Sequence, residues 1–283
     1  MEQFFSVAGV TWRVVYPEGI RWECPERLAQ FAAHAEPWDH TLEFRFCGEL
    51  PEPEGEELYR DSEKCLYRAG DARLQYRSGY LCLRRRGNHT LVHALEAAFG
   101  GSLSARAVLY AMELEHQLAL RDGVILHASW IRRGERGILF TAPSGVGKST
   151  QAELWRSLRG AELMNGDRAA VFAGEGQMPC VRGIPISGSS PVCKNAAMPL
   201  EAIVCLSQAP QTAITRLTGF RAFRQVWEGC AVGSLEREAA QRCLETVSRL
   251  LERVPVYHLA CTPDESAVLA LENMLKQEGA SHA

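Results

Sequence analysis

The chain has 283 residues, enough for one large or two modest domains that each bury a core, and its 46% hydrophobic and 23% charged residues are those of an ordinary globular protein. With 31 basic against 34 acidic side chains the net charge is -3, which excludes a global electrostatic pull toward nucleic acid or an acidic membrane. The ten cysteines include no C-x-x-C pair and are expected to be buried free thiols; with no basic-then-apolar leader and no run of about 18 apolar residues, the expected location is the cytoplasm, without a membrane partner.

Up to about Asn88 the pattern is strand-like. "FFSVAG", "TWRVVY", "TLEFRF", "KCLYRAG", "ARLQYRS" and "YLCLRRR" are rich in aromatic and β-branched residues and are broken by Gly, Pro, Asp and Ser, which predicts a small antiparallel sheet. From Ser104 the period turns helical, and "SARAVLYAMELEHQLALRDG" predicts one helix that opens on a serine cap and stops at Asp122-Gly123. A division between a β-rich domain, residues 1–100, and a second domain, residues 101–283, is therefore expected. "VILHASWI" and "RGILFTA" follow as two strands joined by a tight polar turn. Beyond them "AELMNGDRAAVF", "MPCVRGIPI", "EAIVCLSQ" and "VPVYHLAC" are further expected strands. Two tail helices are expected as well, one capped by Ser234 and ended by Pro255, the other opening on the capping box Thr262-Pro263-Asp264-Glu265.

The stretch with chemistry in it is "FTAPSGVGKSTQAELW". Ala142 to Ser149 meets the pattern G-x-x-x-x-G-K-[ST] at all but its first position, and it lies between an expected strand and an amphipathic helix, the setting the motif requires. In such a loop the backbone N–H groups of Ser144, Gly145, Val146, Gly147, Lys148, Ser149 and Thr150 converge on phosphate oxygens. Lys148 adds a point charge, and the Ser149 hydroxyl takes one place on Mg²⁺. Phosphoryl transfer also needs a carboxylate, and "LMNGDRAAV" offers Asp167. Taken alone, Asp167 has a second reading as a turn aspartate, and His127 one as a strand histidine bonded to a backbone carbonyl.

The order of His127 on a strand, "PSGVGKS", Asp167 and then Arg182-Gly183 in "VRGIPI" resembles the HPr kinase/phosphorylase catalytic domain and its relatives on the phosphoenolpyruvate carboxykinase nucleotide fold. The resemblance spans roughly residues 124–256. It implies an α/β (α+β) architecture, a mixed-sheet P-loop kinase domain preceded by the small β-rich domain, which would grip a partner. It also implies ATP and Mg²⁺ as cofactors, with Ser149 and Asp167 on the metal, Asp167 or His127 as proton acceptor, and Lys148 and Arg182 on the transferred phosphate. The implied acceptor is a serine or threonine hydroxyl of a protein, a peptide or a small molecule. Gly166 stands where the family has a second acid, Pro185 where it has the second glycine of R-G-x-G, and Tyr257-His258 where it has an arginine-rich end. Kinase chemistry alone is accordingly expected, with HPr itself not the substrate.

Other readings stay open on the residues: a nucleotide-binding adaptor without turnover, or a simple NTPase. "GSSPVCKN", Gly188 to Asn195, is a polar loop that either closes over a ligand or is plain surface, and its Cys193 is the one thiol singled out for reactivity. Arg73, Arg77, Arg84, Arg85 and Arg86 read either as solvated strand ends or as a docking surface for an acidic partner, without the stacking aromatics of a nucleic-acid module. A homo-oligomer is compatible with all of this.

Overall fold

The computed structural model describes residues 1–34, 37–174, 177–232 and 236–281. The chain forms two compact units, Met1–Gln117 and Leu118–Ala283. The division thus falls after the break at 100/101 that composition suggests.

In the first unit the elements are β1 (Glu2–Val7), β2 (Val10–Val15), β3 (Arg21–Glu23), α1 (Glu26–Ala29), β4 (His40–Cys47), β5 (Glu56–Arg60), β6 (Lys64–Ala69), β7 (Ala72–Arg77), β8 (Leu81–Arg86), β9 (His89–Leu95), α2 (Glu96–Phe99), β10 (Ser102–Ser104) and α3 (Ala105–Met112). The expected antiparallel sheet is instead mixed and eight-stranded, in the order β1-β2-β4-β9-β8-β7-β6-β5. Its two parallel joins, β2 to β4 and β4 to β9, arise because β3 with α1, and then the β5–β8 meander, carry the chain back to the starting edge.

The single helix expected from Ser104 is broken. Ser104 caps α3 as expected, its hydroxyl accepting from the Ala107 N–H, but Glu113 turns into the left-handed region at φ 46° and α4 (Leu114–Ala119) starts afresh. The break brings the buried Glu113 carboxylate onto Arg73 at 2.9 Å and Arg85 at 3.2 Å. Buried Arg73 and partly buried Arg85 need an anion beside them, and that pairing overrides helix propensity at this position. Of the other arginines of the cluster, Arg77 stacks on Tyr110 at 3.9 Å, Arg84 meets Glu54 at 2.6 Å, and Arg86, an exposed strand end, meets Asp71 at 3.2 Å.

The second unit runs β11 (Gly123–Arg133), β12 (Arg136–Thr141), α5 (Lys148–Arg159), β13 (Glu162–Asn165), β14 (Arg168–Phe172), β15 (Cys180–Arg182), β16 (Ala197–Gln208), β17 (Ala213–Leu217), α6 (Gly219–Trp227), α7 (Arg237–Leu251), β18 (Val256–Cys261) and α8 (Glu265–Ser281). It is a mixed α/β structure. The sheet order is β12-β11-β14-β15-β16-β18-β17, with β13 on β11 and an extra pairing of β12 with β16. Strands β12, β16 and β18 are mutually parallel and carry alternating apolar rows. One row, with Phe140, Val204 and Leu259, packs against Ala152 and Trp155 of α5 and Val268 and Leu271 of α8. The opposite row, with Leu139, Ile203 and Cys205, packs against Val226 of α6 and Cys243 and Val247 of α7. Helices on both faces leave the carboxyl ends of the parallel strands as the open rim, where ligands of such sheets bind.

Local departures from expectation are few. "AELMNGDRAAVF" is two strands split at Gly166-Asp167, and "MPCVRGIPI" keeps only the three residues of β15. The Asp264 side chain, not Thr262, accepts from the second N–H of α8, at 2.8 Å to Ser266. Ser234 lies outside the described residues. All ten cysteines are free, and Cys193 is buried, which removes it as an accessible thiol. Among the described residues no helix is long and apolar enough to cross a membrane.

Candidate functional site

The glycine-rich loop leaves the carboxyl end of β12 and enters α5. Gly145 and Gly147 hold φ values of 80° and 124°, a region L side chains avoid, and space around both is open, so conformation rather than crowding requires glycine there. Ala142, the one departure from the motif, is absent from the positive-φ residues, and an alanine fits. The first turn of α5 has no side-chain cap: Gly147 is its N-cap and bonds only through its carbonyl, to the Gln151 N–H at 2.9 Å. Its leading N–H groups and the positive end of the helix dipole therefore face outward, the arrangement that holds anions.

Lys148 is buried, and its Nζ donates to the carbonyls of Ala142 at 2.9 Å and Pro143 at 3.3 Å. Burial pulls its pKa below the usual lysine value, and the negative charge of Asp167 opposes that pull. Lysine and aspartate thus act on one another across the same space. That space is a cavity of about 510 Å³ lined by His127, Ser129, Ser144, Gly145, Gly147, Lys148, Ser149, Thr150, Asp167 and the serines of the 187–190 turn.

Asp167 occupies the corner between β13 and β14, and the corner is built by Asn165. Buried Asn165 accepts from the N–H groups of Asp167 at 2.9 Å and Arg168 at 3.0 Å, while its amide donates to the carbonyls of Ile184 at 3.2 Å and Ile186 at 3.0 Å. Ser129 adds a bond to the Gly166 carbonyl at 2.9 Å, and the Asp167 carbonyl accepts from the Ala128 N–H at 2.9 Å. With its backbone held this way, the half-buried carboxylate offers Oδ1 to His127 Nε2 at 3.0 Å and Oδ2 to Arg168 Nε at 3.3 Å. His127 is fixed in turn: its N–H donates to the Gly229 carbonyl at 2.8 Å, and its own carbonyl accepts from the Thr141 hydroxyl at 2.9 Å.

Gly166, where the resemblance leads one to look for a second acid, is filled by another part of the chain. A Cβ at this position would stand 2.3 Å from Ser190 Cβ, so the 187–190 turn occupies the space a side chain would need. That turn closes through the Ser190 N–H on the Ser187 carbonyl at 3.0 Å, and the Ser187 hydroxyl bonds the Ser190 carbonyl at 2.8 Å. Gly188, at φ 55°, lies so close to Asp167 that a Cβ would be 2.8–3.1 Å from the carboxyl atoms.

The structure thus brings together His127, Asp167, Lys148, Ser149 and the loop residues Ser144, Gly145, Gly147 and Thr150. Val146 lies in the loop but lines a second cavity. Arg182 is not brought in. It shares the sheet face of His127 through Ala170, yet its guanidinium stacks over the Phe172 ring at 4.7 Å, and it is not among the residues lining the cavity. Arg168 and Asn165 are the residues sequence reasoning missed. Arg168 follows Asp167 directly, and an Asn-Gly-Asp corner is itself a signal for a side chain that caps the next two N–H groups.

The second cavity, of about 640 Å³, shares Gly145, Gly147 and Thr150 with the first and continues to Leu206, Gln208, Ala209 and Pro210 after β16 and Cys261, Thr262 and Pro263 after β18. Its wall is mostly apolar, in contrast to the hydroxyl-rich first cavity. The glycine loop therefore separates a polar chamber from an apolar one, both at the carboxyl ends of parallel strands. Hard oxygen donors in the first chamber, the Ser149 hydroxyl and the Asp167 carboxylate, suit Mg²⁺. No group of three His, Cys, Asp or Glu side chains gathers as a metal cage among the described residues, and a magnesium held largely by phosphates needs none.

No protein-family model matches the chain, and no curated protein matches it. Among solved structures it is similar to the HPr(Ser) kinase/phosphatase from Coxiella burnetii, with a TM-score of 0.30 and 15% identity over 56% of this chain and 94% of that one.

Proposed function

We propose that the chain is an ATP-dependent phosphotransferase that moves the γ-phosphoryl group to a serine or threonine hydroxyl of a protein, a peptide or a small molecule. One observation carries the proposal. A hydrogen-bonded His127–Asp167 pair shares a single cavity with Lys148, Ser149 and the uncapped start of α5.

Each group then has a task set by its chemistry. The loop N–H groups and the Lys148 ammonium hold the phosphate oxygens and stabilise the charge that gathers on them during transfer. Ser149 and Asp167 would hold Mg²⁺, which neutralises phosphate charge when bound. Asp167 takes the proton of the attacking hydroxyl. An ionised carboxylate only accepts hydrogen bonds, so the His127 Nε2 facing it at 3.0 Å carries the hydrogen and orients Oδ1. Arg168, on the other carboxylate oxygen, replaces Arg182 as the guanidinium nearest the chemistry. The apolar chamber across the loop is the seat of the nucleobase, with Leu206, Pro210 and Pro263 in its wall.

The test is incubation of the whole chain with γ-labelled ATP, Mg²⁺ and candidate serine peptides or small alcohols. Label on an acceptor is the expected result. Release of inorganic phosphate alone would replace the proposal by a simple NTPase, and ATP bound but unchanged would replace it by an adaptor.

A further inference from the structure

We infer that Ser189 is a phosphorylation site that the chain modifies on itself, an inference that rests on the phosphotransferase reading above. Three serines of one turn, Ser187, Ser189 and Ser190, line the polar cavity opposite the glycine loop. Two of the hydroxyls are occupied. Ser187 Oγ donates to the Ser190 carbonyl at 2.8 Å, and Ser190 Oγ accepts from the Val192 N–H at 3.2 Å while packing into the space beside Gly166.

Ser189 differs from both. It is exposed, and no hydrogen bond ties its hydroxyl among the described residues. It also follows Gly188, where an added Cβ would stand 2.8–3.1 Å from the Asp167 carboxyl atoms. The free hydroxyl and the carboxylate assigned as proton acceptor therefore line one and the same cavity. The turn that carries it is closed by the Ser190-to-Ser187 backbone bond and packs on Gly166, so the fold itself builds this hydroxyl into the cavity wall.

The step balances. Ser189 Oγ forms a bond to the γ-phosphorus of a bound nucleoside triphosphate, and the bond from that phosphorus to the β,γ-bridging oxygen breaks. The diphosphate leaves with the bonding electron pair, and the hydroxyl proton passes to the Asp167 carboxylate. The product is a phosphoserine that places roughly one and a half to two negative charges beside Asp167. Like charges so placed repel, so the modified chain is expected to bind a further nucleoside triphosphate less well.

The experiment uses the whole chain with γ-labelled ATP and Mg²⁺ and no added acceptor. Protein-bound label is mapped by tandem mass spectrometry, and ATP binding is measured by calorimetry on the same preparations. The expected result is label on Ser189, accumulating with a first-order rate constant that does not change over about a twentyfold range of protein concentration. Ser189→Ala should lose the label and keep ATP binding, and Ser189→Thr should restore label at the same position. Bound ATP with no protein label, label on another residue, or a rate constant that grows with protein concentration would each overturn self-modification at Ser189 while leaving nucleotide binding intact. Absence of ATP binding in the wild-type chain would overturn the phosphotransferase reading, and this inference with it.

Discussion

His127 Nε2 lies 3.0 Å from Asp167 Oδ1, although the two residues are 40 positions apart and come from different elements. The bond forms because β11 and β14 pair with His127 opposite Arg168, which sets the preceding corner residue beside the imidazole. Asp167→Asn keeps the shape and removes the basic oxygen. Turnover is expected to fall by about 10²- to 10⁴-fold, the usual worth of a positioned proton acceptor, with ATP affinity changed far less. Parallel assays of label transfer and ATP binding check this; transfer at the wild-type rate would remove Asp167 from the chemistry.

Gly166→Asp would seem to supply a missing acid, yet the side chain has nowhere to go. Its Cβ would overlap Ser190 Cβ at 2.3 Å, so the 187–190 turn must move. The expected cost is about 1–3 kcal/mol of stability, as for other overpacked sites, together with loss of activity. Denaturant unfolding of wild type and variant measures the first, and the label-transfer assay the second.

Ala209→Trp should separate the two chambers. Ala209 lines only the apolar one, so an indole there competes with a nucleobase and leaves the phosphate loop untouched. Wild-type chain is expected to bind ATP at least about tenfold more tightly than inorganic tripolyphosphate, since burying an aromatic base of this size contributes more than about 1.4 kcal/mol. In the variant that difference should vanish while tripolyphosphate affinity stays. Calorimetric titrations of both ligands into both proteins decide it.

His116, in the first unit, is buried among Arg73, Arg85 and His40, and burial followed by those positive neighbours holds its pKa down at about 3. An unfolded chain protonates the same residue near pH 6.5. Between those values the unfolded state carries the extra proton, so stability of this unit is expected to fall as pH drops from about 6.5 toward 3, at up to about 1.4 kcal/mol per pH unit. His116→Leu should flatten that slope in denaturant melts taken across the range. An unchanged slope would mean that the histidine is reached by protons in the folded state.

Much of the site was legible from local signals. The glycine loop announces itself by a motif contained within eight positions, and Asp167 by the turn it sits in. What was hidden depends on distant pairing. Nothing near Glu113 says that it must leave the helix, because the reason is two arginines on β7 and β8. The stacking of Arg182 on Phe172 is hidden too, because it depends on the pairing of β14 with β15. Gly166 looked like a lost acid, and only the fold puts Ser190 in the vacated volume. The mixed order of the front sheet is hidden for a similar reason: alternation marks strands but not the direction in which they pair.

If the loop ending in Lys148 holds a triphosphate beside the His127–Asp167 pair, calorimetric titration of the whole chain with ATP and Mg²⁺ reports it. Saturable binding at one site is expected, weakened roughly tenfold or more in Lys148→Ala through loss of a charged hydrogen bond worth about 1.5–3 kcal/mol. No binding by folded wild-type protein, or equal binding by wild type and Lys148→Ala, would mean that this loop does not hold the triphosphate.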